Sequence, residues 1–488
     1  MKPILLIDFG STYTKVTAVD VDSETILGTA QSYTTVETDV DEGLSDAVRR
    51  LEEKTGRIDF AERYACSSAA GGLKMVASGL VPELTAEAAR MASLGAGAKV
   101  LKTYAFHLTE EDAAEIERLK PDILLLVGGT DGGNDECIRF NAEVVAGIPG
   151  GFPVIVAGNR NAASACRRAL EKTHPVSVCE NVMPSFGTLN IEPTQSRIRE
   201  IFLSRIVSAK GLTKAANLAS GIVNPTPAAV MQAIRLLAEG TEDEDGIGEL
   251  LAVDVGGATT DVYTVCDGRP TRANTVFKGL PEPYAKRTVE GDIGMRYSIQ
   301  GIVAAAGIGK IAELSGLKPM TCEKRIAHLS EHTDEVPDTE ISERIDYALA
   351  SAAIDTAVGR HAGQIEEVYT LMGAGFVQTG KDLTNIRRIV VTGGSLIHTK
   401  RAEEIAAHAL LSAESPNSLR PQHARVLVDR SYILASMGLL SEVYPETALH
   451  IMKNALVDLG EVHTKVEPKE GAGDTFVPIM NPNNCHGF

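Results

Sequence analysis

Closely spaced cysteines, long apolar runs and excess positive charge are all missing from this sequence. Its seven cysteines are spread widely, with no Cys-x-x-Cys and no Cys/His pair at zinc-finger spacing, a pattern that suits a reduced compartment. No stretch approaches the roughly 20 apolar residues of a membrane span, and the first apolar run meets Asp8 too early for a signal peptide. The formal net charge of −18 argues against a nucleic-acid or anionic-membrane surface. We therefore expect a cytoplasmic protein with no nucleic-acid or membrane partner.

Two widely separated segments share one pattern. Ile4–Lys15 reads ILLIDFGSTYTK and Leu250–Asp261 reads LLAVDVGGATTD, so each is an apolar run that ends in Asp, followed by one residue, a Gly and several hydroxyls. The apolar run fits a buried strand, the Gly allows a tight turn, and the following amides and hydroxyls are donors for phosphate oxygens. Two such corners, each with one carboxylate, could clamp a triphosphate and its cation. The pattern predicts a two-lobed protein that binds ATP.

A third apolar strand, Arg388–Ser395, also ends in a glycine turn, with the sequence RIVVTGGS. In this order the three segments resemble the phosphate-one, phosphate-two and adenosine motifs of the actin, Hsp70 and sugar-kinase superfamily. The resemblance implies an α/β fold class, namely a two-lobed actin-like ATPase (ribonuclease H-like) fold with an inserted α/β region.

The resemblance also implies roles for individual residues. Asp8 and Asp254 would be catalytic and would hold a hydrated magnesium ion and the attacking water, since magnesium keeps several waters and needs only one or two protein carboxylates. The residues expected to contact ATP are Gly10, Ser11, Thr12 and Lys15 in the first motif, Gly256, Gly257, Thr259 and Thr260 in the second, and Gly393, Gly394 and Ser395 in the third.

Three of these assignments have open alternatives. Lys15 is either a cation for the phosphates or a surface lysine. Asp261 is either a further metal-site carboxylate or a cap on the returning strand. Ser395 would begin the following helix as its N-cap, and that role alone would account for it.

The resemblance implies four divisions of the 488-residue chain, which is long enough for two or three cores. They are a first actin-like lobe at 1–84, an inserted α/β region at 85–215, a second lobe with the adenosine motif at 248–445, and a loosely ordered tail at 446–488. Within the inserted region, strands alternate with single helices, which predicts parallel pairing. Its loop at 128–133 is rich in glycine and is either a ligand loop or a tight turn.

Five runs of the chain, one of them within the first motif, are similar to the glutamate mutase accessory family called MutL or GlmL. This family is unrelated to the mismatch-repair protein of that name. They are Ile7–Lys15, Cys66–Met75, Leu124–Gly133, Ala157–Arg160 and Arg287–Arg296. This likeness implies a Mg-dependent ATPase that serves as an accessory or reactivating, chaperone-like factor for an adenosylcobalamin-dependent mutase, with glutamate mutase as the partner. ATP and Mg are the implied cofactors, and a homodimer is the candidate oligomer.

Other functions stay open at this level, because the superfamily fold does not fix the activity. The main alternative is a small-molecule kinase, in which a substrate hydroxyl replaces water. An iron–sulfur dehydratase activator would need cysteines to hold a cluster. A filament-forming scaffold is a third alternative. The loop Glu290–Gly294 is either a γ-phosphate sensor or a capped turn before a helix.

Overall fold

A computed structural model describes residues 2–10, 13–33, 40–68, 73–209, 223–370 and 373–466 of the chain. Among these residues, none of the helices combines the length and the apolar character that a bilayer crossing requires.

Nineteen strands lie in these described parts of the chain. In chain order they are β1 (Pro3–Phe9), β2 (Tyr13–Asp20), β3 (Thr25–Tyr33), β4 (Glu62–Ser67), β5 (Lys74–Gly79), β6 (Lys99–Ala105), β7 (Ile123–Leu126), β8 (Val154–Val156), β9 (Val176–Val178), β10 (Val223–Pro225), β11 (Leu250–Val255), β12 (Thr260–Val265), β13 (Thr275–Lys278), β14 (Ala285–Glu290), β15 (Gln364–Thr370), β16 (Gly373–Thr379), β17 (Arg388–Thr392), β18 (His423–Val428) and β19 (Val457–His463).

The helices of the same ranges fall between and after these strands. They are α1 (Val40–Thr55), α2 (Glu87–Gly95), α3 (Glu110–Leu119), α4 (Glu136–Ala146), α5 (Ala163–Leu170), α6 (Glu192–Ala209), α7 (Thr226–Glu239), α8 (Ile299–Ala306), α9 (Ile308–Ser315), α10 (Pro319–Glu331), α11 (Glu340–His361), α12 (Gly394–Ile397), α13 (Ala402–Ala406), α14 (Leu434–Ser441) and α15 (Pro445–Ala455), with a π-helical turn at Pro82–Ala86 and a 3₁₀ turn at Ala407–Ala409.

Each of the two Asp-containing motifs forms a hairpin in one of two sheets. The two sheets share a five-strand topology, and the second has one additional strand, β19. The first sheet has the order β10-β4-β1-β2-β3, and the second has β14-β12-β11-β17-β18-β19. In each, the motif strand pairs antiparallel with the next strand on one side and parallel with a later strand on the other. This repeated arrangement of a hairpin joined to parallel strands confirms the predicted two-lobed actin-like fold.

The inserted region is a five-stranded parallel sheet of order β6-β5-β7-β8-β9. β5 is an interior strand of this sheet, between β6 and β7, so the insertion begins by residue 74, and the predicted boundary at residue 84 is too late. β7 lies in this sheet between β5 and β8. One face of the sheet shares a continuous hydrophobic core with β1 of the first lobe, through residues such as Ile7, Met75 and Leu125. The insertion is therefore packed onto the lobe.

A second core joins the two lobes. It contains Ile4 and Leu6 of β1, Leu250 of β11 and Val390 of β17, together with the inner faces of α7, α14 and α15. A Cβ on Gly438 of α14 would lie 1.7 Å from the carbonyl oxygen of Ala229 in α7, so these two helices touch backbone to backbone. Because buried apolar area contributes roughly 25 cal/mol per Å², this layer holds the two lobes together at the base of the cleft.

The chain after residue 445 differs from its prediction. The sequence predicts a loosely ordered tail at 446–488, but α15 occupies Pro445–Ala455 and β19 adds the last strand of the second sheet, antiparallel to β18. Lys453 and His450 of α15 pair with Glu244. These ion pairs hold the acidic segment at 240–246 against this helix. Residues 467–488 lie outside the described ranges.

Candidate functional site

A cavity of about 1050 Å³ lies between the two lobes, and the ends of both motif hairpins line it. Asp8, Gly10 and Lys15 reach it from the first lobe. Asp254, Gly256, Gly257 and Thr259 reach it from the second, and Gly394 and Ser395 follow at the carboxyl end of β17. The structure thus brings the three sequence motifs together around one space.

The two hairpin turns have the same local geometry. The amide of Gly10 donates to the carbonyl of Tyr13 at 3.0 Å, and the amide of Gly256 donates to the carbonyl of Thr259 at 2.9 Å. A Cβ on Gly10 would lie 2.6 Å from the Tyr13 oxygen, and one on Gly256 would lie 3.0 Å from the Thr259 oxygen. The first turn therefore has no room for a Cβ at Gly10, and the second has very little at Gly256. Ser11 and Thr12, which were predicted to bind phosphate, lie outside the described residues.

Asp8 is held by three neighbours. Its Oδ1 accepts from the Thr226 hydroxyl at 2.7 Å and from the Cys66 thiol at 3.4 Å, while its Oδ2 lies 3.5 Å from Lys15 Nζ. The residue is only 3% exposed. Thr226 is the first residue of α7, so the amino end of that helix also faces the site. These contacts fix the carboxylate in one orientation, with Oδ2 directed toward the ammonium group of Lys15.

Asp254 has an unsatisfied polar atom in the cleft. Its Oδ1 is buried and has no hydrogen-bond partner among the described residues. Burial, and next the charge of Asp261, raise the pKa of Asp254 to about 7, although Lys15 opposes the shift. An unpaired buried carboxylate oxygen is costly unless a bound cation or donor compensates it. This oxygen therefore fits a ligand that brings positive charge.

Asp261 is paired within the protein. Its Oδ1 accepts from Nε of Arg287 at 2.8 Å and from the second arm of that guanidinium at 2.6 Å, and its Oδ2 accepts from the Thr259 hydroxyl at 3.2 Å. Arg287 also donates to the carbonyls of Leu94 and Ala98 in the inserted region. Asp261 therefore anchors an interdomain arginine, and its effect on a bound metal would pass through the charge of Asp254.

No three or more His, Cys, Asp or Glu side chains within the described ranges are grouped closely enough to hold a metal. A metal at this site would depend on Asp8 and Asp254 alone, with water or phosphate as the other ligands. That donor set fits magnesium, which binds through one or two carboxylates plus waters and substrate phosphates.

Thr260 faces away from the cavity. Its hydroxyl donates to the carbonyl of Ile293 at 3.0 Å, and the residue is fully buried. Side chains alternate along a strand, so Thr259 and Asp261 face the cleft and Thr260 faces the core. The prediction that Thr260 contacts phosphate is therefore wrong. Its hydroxyl instead stabilises the loop that follows β14.

The adenosine motif divides its glycines between two tasks. Gly393 has φ of 103°, and a Cβ there would lie 2.3 Å from the carbonyl oxygen of Val255, so this glycine allows β17 to approach the second hairpin. Gly394 is exposed, lines the cavity, and has no atom within 4 Å of an added Cβ. The buried hydroxyl of Ser395 has no partner among the described residues. Of these three, Gly394 and Ser395 are placed to contact a ligand.

The two glycine loops with open alternatives are rigid turns. In the loop at 128–133, the buried side chain of Asn159 accepts from the Gly132 amide and donates to the Gly133 carbonyl, while Asn181 donates to Gly129. Near Glu290–Gly294, the amides of the three following residues donate to the Gly256 and Gly257 carbonyls. Glu290 itself pairs with Arg360. The second loop therefore supports the hairpin turn from behind.

The model of one protein family, described as MutL protein, matches residues 4–456 of this chain. The chain belongs to the MutL family. It is 47% identical over 460 residues to "Protein MutL" of Clostridium tetanomorphum, covering 94% of this chain and all of that protein. Near-complete coverage means that the MutL-family likeness includes both lobes and the inserted region.

The solved structures similar to this MutL-family chain are much more distant from it. A xylulose kinase from Bifidobacterium adolescentis is 12% identical with a TM-score of 0.33, covering 95% of this chain and 97% of that one. The activator of the 2-hydroxyisocaproyl-CoA dehydratase from Clostridium difficile is 12% identical with a TM-score of 0.31, covering 93% and 97%. The fold assignment rests on the sheet topology above.

Several residues in or beside the cleft of this MutL-family chain could not be assigned to the site from its sequence motifs. Thr226 contacts Asp8, Asp429 accepts from the hydroxyl of Thr392 at 3.3 Å, and the ring of Tyr432 lies against Lys15. None of them belongs to a glycine-containing turn. A signal exists only for Thr226, which follows Asn224-Pro225 and precedes a helical pattern, as an N-terminal helix residue does.

Proposed function

We propose that this MutL-family protein is a Mg-dependent ATPase that serves an adenosylcobalamin-dependent mutase, with glutamate mutase as the partner. The observation that carries the ATPase part is the pair of equivalent hairpins, which present Asp8 and Asp254 to one cavity. The choice of partner rests on family membership.

The chain's own groups are sufficient to hold a nucleotide for hydrolysis. Phosphoryl transfer asks the protein mainly for positioning and for compensation of charge. The hairpin turns offer backbone amides, Lys15 offers a positive charge, and Gly394 and Ser395 line the cavity next to the second hairpin. Asp8 and Asp254 would hold hydrated magnesium, which would neutralise phosphate charge. Asp254, once ionised, is the group we assign to orienting the attacking water.

The two lobes supply a means of coupling to the mutase. Actin-like lobes that grip one ligand from both sides can close around it and open after hydrolysis. We propose that this motion loosens a mutase trapped with inactive cobalamin so that damaged cofactor leaves, and that ATP hydrolysis then releases the mutase.

We assign the mutase-facing surface to the inserted region. Three of its aromatic side chains are exposed: Phe106 directly after β6 at 60%, Phe140 on α4 at 42%, and Phe186 in the segment after β9 at 79%. Exposed aromatic residues are typical of the centres of protein interfaces.

Hydrolysis by matched variants tests the ATPase part. Asp254→Ala should abolish turnover and leave measurable nucleotide binding, because many amides share the binding whereas one carboxylate orients the water. Asp267→Ala is the control, since Asp267 is an exposed carboxylate in the loop that follows β12. Normal hydrolysis by Asp254→Ala would contradict the assignment. Hydrolysis that appears only with an added small-molecule hydroxyl substrate would point to the kinase alternative.

A further inference from the structure

Tyr432 has a backbone conformation that is unusual for its size. It lies between β18 and α14 with φ of 54°, in the left-handed region that bulky residues rarely adopt. Its side chain lines the cavity between the lobes. Strained conformations of this kind persist only where the surroundings hold them, and they concentrate at functional sites.

Asp429 fixes the turn that carries Tyr432. The Asp429 side chain is 1% exposed, and it accepts from the amides of Ile433 at 3.0 Å and Leu434 at 3.1 Å. The Tyr432 amide donates to the Asp429 carbonyl at 3.2 Å. Hydrogen bonds therefore constrain the turn around Tyr432, and the position of its ring is determined by the second lobe.

Lys15 of the first lobe meets this ring across the cleft. Its Nζ lies 3.5 Å from the centre of the Tyr432 ring and 3.5 Å from Asp8 Oδ2. A charge-assisted hydrogen bond to a carboxylate is usually 2.7–2.9 Å long, so the ammonium is not drawn fully onto Asp8. The aromatic face attracts the cation and occupies the other side of it.

We propose that Tyr432 is the positioning residue of Lys15, keeping the ammonium on its ring so that Lys15 is free to meet phosphate and Asp8 is free to meet a cation. A lysine on a flexible stem beside two carboxylates, Asp8 and Asp254, would otherwise collapse onto them and compete with magnesium. The inference rests on the proposed ATPase function, which it deepens by naming how the cation is held.

A double-mutant cycle separates positioning from a general structural role. Tyr432→Leu removes the ring, and we expect it to lower kcat/KM for ATP hydrolysis about tenfold, in keeping with a desolvated cation–π contact. Tyr432→Phe keeps the ring and should restore most of the rate. In a Lys15→Met background, Tyr432→Leu should cause less than a twofold further loss, because the group it positions is already absent. Tyr284→Leu, at an exposed tyrosine outside the cavity, is the control.

Two results would overturn the inference. One is a Tyr432→Leu rate equal to that of the wild type. The other is the same tenfold loss with and without Lys15, which would mean that Tyr432 acts through the fold.

A binding readout keeps the inference testable apart from turnover. The chain contains no tryptophan, so Tyr432→Trp introduces a single indole whose face also attracts a cation. Its emission should differ between the Lys15 and Lys15→Met proteins, and Mg·ADP should change it only when Lys15 is present. Equal emission in both proteins would refute the contact. If the wild type neither binds nor hydrolyses ATP, the proposed function fails, while the nucleotide-free comparison still decides whether Lys15 rests on this ring.

Discussion

Lys15 and Asp261 occupy equivalent positions in the two lobes. Each is the cross-strand partner of its motif aspartate, with Asp8 opposite Lys15 in one hairpin and Asp254 opposite Asp261 in the other. The same topology therefore places opposite charges side by side in the first lobe and like charges in the second. This asymmetry helps to raise the pKa of Asp254 to about 7, after burial as the main cause.

The raised pKa predicts a pH dependence of catalysis. Below pH 7 Asp254 is largely protonated and cannot serve as a carboxylate, so kcat/KM for ATP hydrolysis should rise as pH increases through about 7. Asp261→Asn removes the neighbouring negative charge and should move this acid limb to lower pH. The profiles are measured in the steady state, with Asp267→Asn as the control. An acid limb that stays in place in Asp261→Asn would contradict the explanation.

The same shift predicts a stabilising but inactivating substitution. The folded-state pKa of Asp254, about 7, lies above the ordinary value of 3.8, so the folded protein keeps a proton that the unfolded chain has released between these pH values. The contribution of Asp254 to the free energy of unfolding therefore falls as pH rises from about 3.8 to about 7, and it is lowest above pH 7. Asp254→Asn avoids this loss and should raise the free energy of unfolding at pH 8 by on the order of 3 kcal/mol, and by less at pH 5. Denaturant titrations at both pH values check this, and equal effects at the two would refute it.

The buried ion pair at Arg287 predicts a large loss of stability. Arg287→Met leaves Asp261 buried without its cation and breaks the link to the carbonyls of Leu94 and Ala98. Such a change should cost about 3–5 kcal/mol in the free energy of unfolding. Arg235→Met, which breaks the exposed helical pair with Glu239, is the control and should have little effect. Similar losses in the two variants would show that the buried pair has no special weight.

The two glycines of the adenosine motif should respond differently to alanine. Gly393→Ala puts a Cβ 2.3 Å from the Val255 carbonyl at a positive φ and should destabilise the protein by about 1–3 kcal/mol or more. Gly394→Ala meets no atom within 4 Å, so its melting temperature should be close to that of the wild type while nucleotide affinity falls. Thermal melts and nucleotide titrations separate the two effects. A Gly394→Ala protein with unchanged affinity would remove that position from the ligand site.

Local pattern was sufficient to predict the strands of the two Asp-containing motifs. The apolar runs from Ile4 and from Leu250 were predicted to be buried strands, and they lie in β1 and β11. β5 was missed: Lys74–Gly79, with the sequence KMVASG, is short and rich in small residues, and only its pairing with β6 and β7 identifies it as an interior strand of the inserted sheet. The insertion boundary was wrong for the same reason.

Prediction of the site failed where the determining contacts are distant in sequence. Asp429 and Tyr432 come from a loop more than 400 residues from Lys15 in the chain, and no spacing rule links them. Thr260 was assigned to phosphate because it stands in a row of hydroxyls, whereas strand alternation turns it toward Ile293. Asp261 lies where the motif placed it, but its pairing with Arg287 depends on β14.

The most direct test of the account combines the purified protein with glutamate mutase that has been inactivated with its cobalamin bound. ATP hydrolysis and the return of mutase activity after addition of fresh adenosylcobalamin are measured together, with Asp254→Ala in place of the wild type as the control. We expect inactive mutase to stimulate hydrolysis, and mutase activity to return only with ATP and wild-type protein. Hydrolysis that ignores the mutase, or recovery that is equally fast with Asp254→Ala, would contradict it.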